Sequence, residues 1–271
     1  AHLADIHIRK LHRFVEYREV FKRLYKQLRT LKPDAIYIGG DVVHGKLDTS
    51  PEETRLVADF FLRLSKIAPT IIIPGNHDCN LNNKSREDTL SPIVDLVKKI
   101  VPNLHYWKKS GVYTMDNVDF GHMSIFDHDK EGKQLTDGLP NPDELKNKHK
   151  IALFHGGVDK HLYDNGFQVE DDRVTNDTFD GYDMVLLGDI HKRQFLNEEE
   201  TIAYPGSLIQ QNYSEEPSHG FLLWNVETKK ATYHQVENDY GYKILKVENG
   251  EIQNSTTGNP FELTFMPPKG R

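Results

Sequence analysis

Five short apolar runs in this chain end alike, on Asp, Asn or His. The third is the most explicit: Thr70-Ile71-Ile72-Ile73 leads into Pro74-Gly75-Asn76-His77-Asp78. Its length and β-branched content predict a buried strand. The Pro-Gly pair stops it, and a carboxamide, an imidazole and a carboxylate follow in succession. Four other segments repeat the plan: Leu3-Ala4-Asp5-Ile6-His7, Ala35-Ile36-Tyr37-Ile38-Gly39-Gly40-Asp41-Val42-Val43-His44, Ile151-Ala152-Leu153-Phe154-His155 and Met184-Val185-Leu186-Leu187-Gly188-Asp189-Ile190-His191. Buried strands that end in glycine and then offer polar groups are how α/β folds present chemistry at the carboxyl edge of a sheet.

Helices fit between the first of these strands. One is expected over residues 16–31, with Tyr17, Phe21, Leu24, Leu28 and Leu31 on its core face. A second starts at Ser50-Pro51-Glu52-Glu53, which supplies an N-cap, a first-turn proline and the acidic partner of a capping box. A third is expected over residues 92–101. This alternation of strand and helix implies parallel strands with helical crossovers. Residues 104–107, 112–114 and 118–120 read as short antiparallel strands, with Asp116-Asn117 as a turn. Residues 127–149 read as a polar surface excursion and residues 158–180 as an active-site loop. Further β structure is expected over 201–203, 220–225, 231–236 and 242–247, with a turn at Asn249-Gly250. The chain opens on Ala1 already inside a strand, which reads as a fragment. It stops at Pro267-Pro268-Lys269-Gly270-Arg271, which reads as a second domain cut short.

The chain has 271 residues, 28% charged and 37% hydrophobic, which describes a soluble globular protein. No apolar run approaches the ~20 residues needed to span a bilayer, so no membrane role is expected. The single cysteine, Cys79, excludes an internal disulfide and fits a reducing, cytoplasmic location. Cys79 itself reads as a small loop residue, with a soft metal ligand as the lesser alternative. The net charge of −7 argues against a generally basic nucleic-acid binder. A local patch remains: Arg9, Lys10 and Arg13, then Arg18, Lys22, Arg23, Lys26 and Arg29 along the first helix. It is either an ordinary solvated face or a surface for phosphate backbones beside the active site.

The strand-end groups are Asp5, His7, Asp41, Asn76, His155, Asp189 and His191. Each alone has a bland reading, Asn76 as an Asx turn for example. Together they make a mixed set of carboxylate, imidazole and amide oxygen, suited to Mn, Fe or Zn. They are too many for one ion, and two ions sharing a carboxylate would use them all. Such pairs act on phosphate esters. His77 is adjacent to a ligand yet surplus, and is placed to protonate a leaving oxygen. His44, three residues after Asp41, is expected to face substrate or support a ligand. His2, His12, His105, His122, His128, His149, His161 and His234 lack such company and read as surface or core residues, and His219 as structural.

Asp5-Ile6-His7, Gly40-Asp41, Gly75-Asn76-His77-Asp78, His155 and Gly188-Asp189-Ile190-His191 resemble, in order and spacing, the motifs of the calcineurin-like metallophosphoesterases, over roughly residues 2–225. Gly40-Asp41-Val42-Val43-His44 and Tyr204-Pro205-Gly206-Ser207 resemble the SbcD-type DNA double-strand-break repair nucleases, including a bacteriophage recombination endonuclease subunit; Thr89-Leu90-Ser91-Pro92 is a fainter likeness. The resemblance implies an α/β fold, a two-sheet metallophosphoesterase sandwich flanked by helices over residues 1–238, with the start of a small DNA-capping domain at 239–271. It implies that Asp5, His7 and His191 hold one metal with Asp41, that Asp41 bridges, and that Asn76, His155 and Asp189 hold the second. His77 would be the catalytic histidine, and His44 would assist exonuclease action or guide the strand. The family commonly has Gly-His-x-His where this chain has Gly-Asp-Ile-His, and the added negative charge of Asp189 should alter metal preference at the second position.

The expectation is therefore a nuclease with two divalent ions, Mn first among them. It would act as an exonuclease on duplex ends and an endonuclease on single strands, in DNA repair or recombination. The partners implied are DNA, an SbcC-like ATPase subunit and a second copy of the chain in a homodimer. The rival readings are a phosphoesterase for phosphoproteins or small phosphodiesters, and a scaffold protein that has lost its chemistry.

Overall fold

The computed structural model describes residues 1–46, 48–83, 85–127, 135–170, 173–242, 246–248 and 251–253. The chain divides into two units, Ala1–Gly241 and Tyr242–Arg271. In the first unit one sheet contains β1 (His2–Leu3), β2 (Ile36–Ile38), β3 (Thr70–Ile72), β4 (Leu104–Tyr106), β11 (Gly220–Asn225) and β12 (Lys230–Gln235). Its order is β12-β11-β1-β2-β3-β4. The other contains β5 (Gly111–Met115), β6 (Val118–Met123), β7 (His149–His155), β8 (Met184–Gly188), β9 (Gln194–Phe195) and β10 (Ile202–Tyr204), in the order β5-β6-β7-β8-β10-β9. β1 to β4 run parallel, as do β6, β7, β8 and β10; antiparallel strands close both edges of the second sheet and the β12 edge of the first, whose other edge is the parallel β4.

The central strands are apolar on both faces because both are covered. Tyr37, Ile71 and Ile73 of the first sheet pack with Ile151, Leu153, Met184 and Leu186 of the second, and this is the core between the sheets. The alternate residues Ile36, Ile38 and Ile72 turn the other way, onto α1 (Phe14–Leu31), α2 (Pro51–Ser65) and α3 (Leu90–Lys98). Ala152, Phe154, Val185 and Leu187 face a third cluster, closed by Val158, Val174 and Phe179. The result is an α/β sandwich of two mixed sheets with helices on the flank.

The helices form where their caps and stripes allow. Phe21 of α1 stacks on Phe60 of α2 with ring centroids 4.2 Å apart. The Ser50 hydroxyl accepts from Glu53 N at 3.1 Å while the Glu53 carboxylate accepts from Ser50 N at 3.4 Å, so the expected capping box is present. α3 begins at Leu90, before the expected residue 92. The Asp88 carboxylate accepts from Leu90 N at 2.9 Å and Ser91 N at 2.8 Å, and so supports the first turn from outside it.

One expectation fails in direction. β4 was expected to be antiparallel and instead pairs parallel with β3, Thr70 opposite Leu104. Its chain enters from α3, a crossover that returns the strand to the same sheet in the same sense. The antiparallel pair that was expected is β5 and β6, joined through Asp116-Asn117. β9 was not anticipated. The described part of the polar excursion carries only short 3-10 turns, Leu135–Gly138 and Pro142–Glu144. His128 lies outside the described residues.

The second unit contains β13 (Lys246–Glu248) and β14 (Glu251–Gln253), an antiparallel pair. The turn at Asn249-Gly250 and the rest of the expected capping domain lie outside the described residues. No helix among the described residues is long and apolar enough to cross a membrane.

The capping box gives a direct stability prediction. Ser50→Ala should destabilise the protein by about 1 kcal/mol in chemical denaturation. An unchanged midpoint would show that α2 does not depend on this cap.

Candidate metal centre

β1, β2 and β3 of the first sheet and β7 and β8 of the second deliver their carboxyl ends to one place. Asp41 stands between the two sets. Its Oδ2 lies 3.6 Å from His7 Nε2, and its Oδ1 lies 3.4 Å from His155 Nε2. On one side His7 Nε2 is 3.0 Å from His191 Nε2 and 4.0 Å from Asp5 Oδ1. On the other, Asp189 Oδ1 lies 3.6 Å from His155 Nε2 and 3.4 Å from Asn76 Nδ2. All seven side chains named from the sequence are thus brought together. Asp5, His7 and His191 place donor atoms within 4.8 Å of one another, and so do Asp5, Asp41 and His155.

The backbone reaches this arrangement through conformations that side chains seldom adopt. Asp5 (φ 52°), His7 (φ 49°), Asp41 (φ 52°) and Asp189 (φ 98°) are all left-handed. Strain concentrated in this way marks a site that its surroundings hold in place. Close approach adds the glycine requirement. A Cβ at Gly75 would lie 2.1 Å from Asp41 Oδ1, and one at Gly188 would lie 1.9 Å from Gly39 O. The glycines before Asn76 and Asp189 are therefore needed for contact between loops as well as to end the strand.

The donor set fits divalent cations. His155 Nδ1 donates to Gly39 O at 2.6 Å, which fixes the ring and leaves Nε2 as its lone-pair nitrogen. That Nε2 is buried without a hydrogen-bond partner, and so is Asn76 Oδ1. Buried acceptors with no donor are costly, and a cation satisfies them. Charges here are strongly coupled. Burial works against the Asp41 charge, but His155, His7 and His77 prevail and hold its carboxyl well below the usual range. Burial pushes the Asp5 carboxyl up to about 7, with Asp41 and Asp189 adding to the effect. It also raises Asp189 and holds His7 well below the usual imidazole range. Burial opposes a proton on His155, yet Asp41, Asp189 and Asp5 hold its pKa well above normal. Ions bound here displace protons, so affinity is tied to pH.

His77 N donates to Asp41 Oδ1 at 2.8 Å, and its Nδ1 donates to His44 O at 2.8 Å, which leaves Nε2 for other partners. The His44 ring stacks on His77 at 5.1 Å. Arg9 Nη1 donates to His44 Nε2 at 3.3 Å. Burial, with Arg9 and His77 nearby, pushes the His44 pKa down to about 4. Arg9, grouped in the sequence with the basic patch, thus belongs to this cluster. Cys79 is buried, and its Sγ lies 3.6 Å from Gly75 O.

Two supporting residues carried no assigned role in the sequence. Asp78 is buried and accepts from Val43 N at 3.0 Å and Gly75 N at 2.9 Å, which ties the loop after β2 to the loop after β3. Glu215 accepts from His191 Nδ1 at 2.8 Å. Burial opposes a proton on His191, but this bond and the charges of Asp5, Glu215 and Asp41 together prevail and lift its pKa to about 9. Glu215 is in turn held by Gln211 N at 2.6 Å and Asn212 Nδ2 at 2.7 Å. His219, read as structural, bonds Ser207 O through Nδ1 at 2.9 Å and lies 3.7 Å from Glu215. Only the Asp78 position had a signal, its place in the Asn-His-Asp run.

The model of the calcineurin-like phosphoesterases matches residues 1–193, and the chain belongs to that family, whose members are metal-dependent hydrolases. The chain is 45% identical over 256 residues to an uncharacterised protein of Acanthamoeba polyphaga mimivirus, a match that takes in 93% of this chain and 19% of that protein. It is 24% identical over 281 residues to the D component of the nuclease SbcCD from Staphylococcus epidermidis, with 94% of this chain and 67% of that protein covered. One crystal structure superposes with a TM-score of 0.55 at 10% identity, covering 86% of this chain and 98% of the other, a likeness of fold alone.

A carboxylate behind a metal-binding histidine is worth 10–100-fold in metal affinity. Glu215→Gln should weaken Mn binding by about that factor in a calorimetric titration while the circular dichroism spectrum is kept. Equal affinity would mean that Glu215 merely fastens its loop.

Proposed function

We propose that the chain is a Mn-dependent DNA nuclease acting in repair or recombination. It cuts duplex DNA from its ends and single strands internally. The observation that carries this reading is the fixed His77 imidazole, anchored on His44 O and backed by the His44 ring and Arg9, beside two sets of metal-binding groups that meet at Asp41. The likeness to a component of a named nuclease supports it.

In this reading Asp5, His7 and His191 would hold one ion with Asp41, and Asn76, His155 and Asp189 would hold the other with the same carboxylate. Divalent ions held there would supply charge to neutralise the phosphoryl oxygens and to activate a water. Water adds to phosphorus as the bond to the 3′ oxygen breaks. His77 Nε2 supplies the proton that the leaving oxygen needs, while its Nδ1–H stays on the His44 carbonyl. His44 and Arg9 bear on the neighbouring strand. The wider proposal pairs the chain with an SbcC-like ATPase and a second copy of itself, in the cytoplasm.

The test is cleavage of end-labelled linear DNA, single- and double-stranded, in Mn, Mg or EDTA, beside a small phosphodiester. Cleavage should need the metal and fall by roughly 10²–10⁴ in His77→Ala, with metal content kept. Turnover of the small ester with DNA left intact would overturn the substrate assignment. Full cleavage by His77→Ala would overturn the role of His77.

A further inference from the structure

α1 and α2 lie side by side and leave a groove of about 710 Å³ between them. Its rim carries Arg18, Lys22 and Arg29 from α1 and Arg55 and Arg63 from α2, all exposed. Glu19, Glu52 and Asp59 also line it. Asp59 is taken by Arg63 at 2.7 Å. Arg18, Lys22, Arg29 and Arg55 have no ion-pair partner among the described residues. In a chain of net charge −7, this groove has a surplus of positive charge.

The groove is also lined by a buried donor. Tyr25 lines it, is only 6% exposed, and its hydroxyl is buried with no hydrogen-bond partner. A buried hydroxyl left in this way is unfavourable, so an arriving acceptor is favoured. The Arg63 guanidinium lies 6.0 Å from the centroid of the Tyr25 ring, so a cation flanks this side chain.

The spacing of the cations describes the ligand. Arg18 to Arg29 spans about 16 Å of helix, and Arg55 to Arg63 about 12 Å. Phosphates along one DNA strand recur about every 3.4 Å of axis. The rows therefore suit a run of several phosphates better than a single anion. α1 follows β1 and α2 follows β2, so the Arg18 and Glu52 end of the groove lies toward the sheet edge that bears Asp5, His7 and Asp41.

Building on the nuclease reading above, we infer that the α1–α2 groove binds the phosphate backbone of the DNA whose end or strand enters the metal centre. The Tyr25 hydroxyl donates to one phosphate oxygen, and Arg18, Lys22, Arg29 and Arg55 neutralise its neighbours.

Fluorescence anisotropy of labelled oligonucleotides with the full chain in EDTA tests this. Two variants are compared with the wild type: Tyr25→Phe, and the combined Lys22→Gln, Arg29→Gln and Arg55→Gln. The combined variant should bind about tenfold or more weakly, and its salt dependence for duplex should be shallower by about 2 to 3 in logarithmic slope. Tyr25→Phe should bind several-fold more weakly without lowering the melting temperature, since the hydroxyl has no partner inside the protein. Hydrolysis of a small phosphodiester should be unchanged in both. Equal affinity and slope in the variants, with DNA still cleaved by the wild type, would overturn the groove alone. Failure of the wild type to bind any DNA would overturn both the groove and the nuclease reading. Pyrophosphate binding with the same sensitivity to the variants, and no preference for the polymer, would make it a small-anion site. A change in sedimentation mass in the combined variant would make it a contact between copies. Either result contradicts the proposal.

Discussion

The Asp41 carboxylate is the contact on which the site depends. Its oxygens face His7 at 3.6 Å and His155 at 3.4 Å, one histidine from each sheet. The inter-sheet core of Tyr37, Ile71, Ile73, Leu153 and Leu186 sets how far apart the sheets stand, and Asp41 spans what remains at their carboxyl edge. An apolar core chosen for packing thereby sets the separation of charged groups. A buried carboxylate between two imidazoles is tolerable only because the histidines offset its desolvation.

Around that contact the chain accepts local strain to hold its polar groups in place. Four of the seven ligand candidates have left-handed backbones, and glycine at 75 and 188 lets neighbouring loops touch. The compensation is spread through the surroundings. Asp78 pins the loops after β2 and β3 to each other, Glu215 orients His191, and His155 is fixed by Gly39 O. Each of these partners is buried, so the positions of the donor atoms do not rest on exposed side chains.

Much of this was legible in the sequence. Apolar strands that stop on Asp, Asn or His encode both the buried sheet and the edge where chemistry gathers, and all seven strand-end residues converge. Caps were readable where the side chain sits at the helix start, as at Ser50, but Asp88 acts from beyond α3 and shifted its expected start. Direction was not readable for β4, because a short apolar run carries no record of its partner. Glu215 escaped because a lone acid in a polar loop has no periodicity, and its meaning exists only beside His191. The basic stretch was seen as one patch, whereas folding divides it. Arg9 joins His44, Arg13 pairs with Glu16 at 2.6 Å, and Arg23 bonds Asp239, while Arg18, Lys22 and Arg29 meet α2.

We propose that two ions share Asp41. A crystal grown or soaked with Mn and measured at the Mn absorption edge tests it directly. Two anomalous peaks are expected about 3.5–4 Å apart, one beside Asp5, His7 and His191, the other beside Asn76, His155 and Asp189, with Asp41 next to both. A single peak, or peaks that leave Asp41 out, would contradict it.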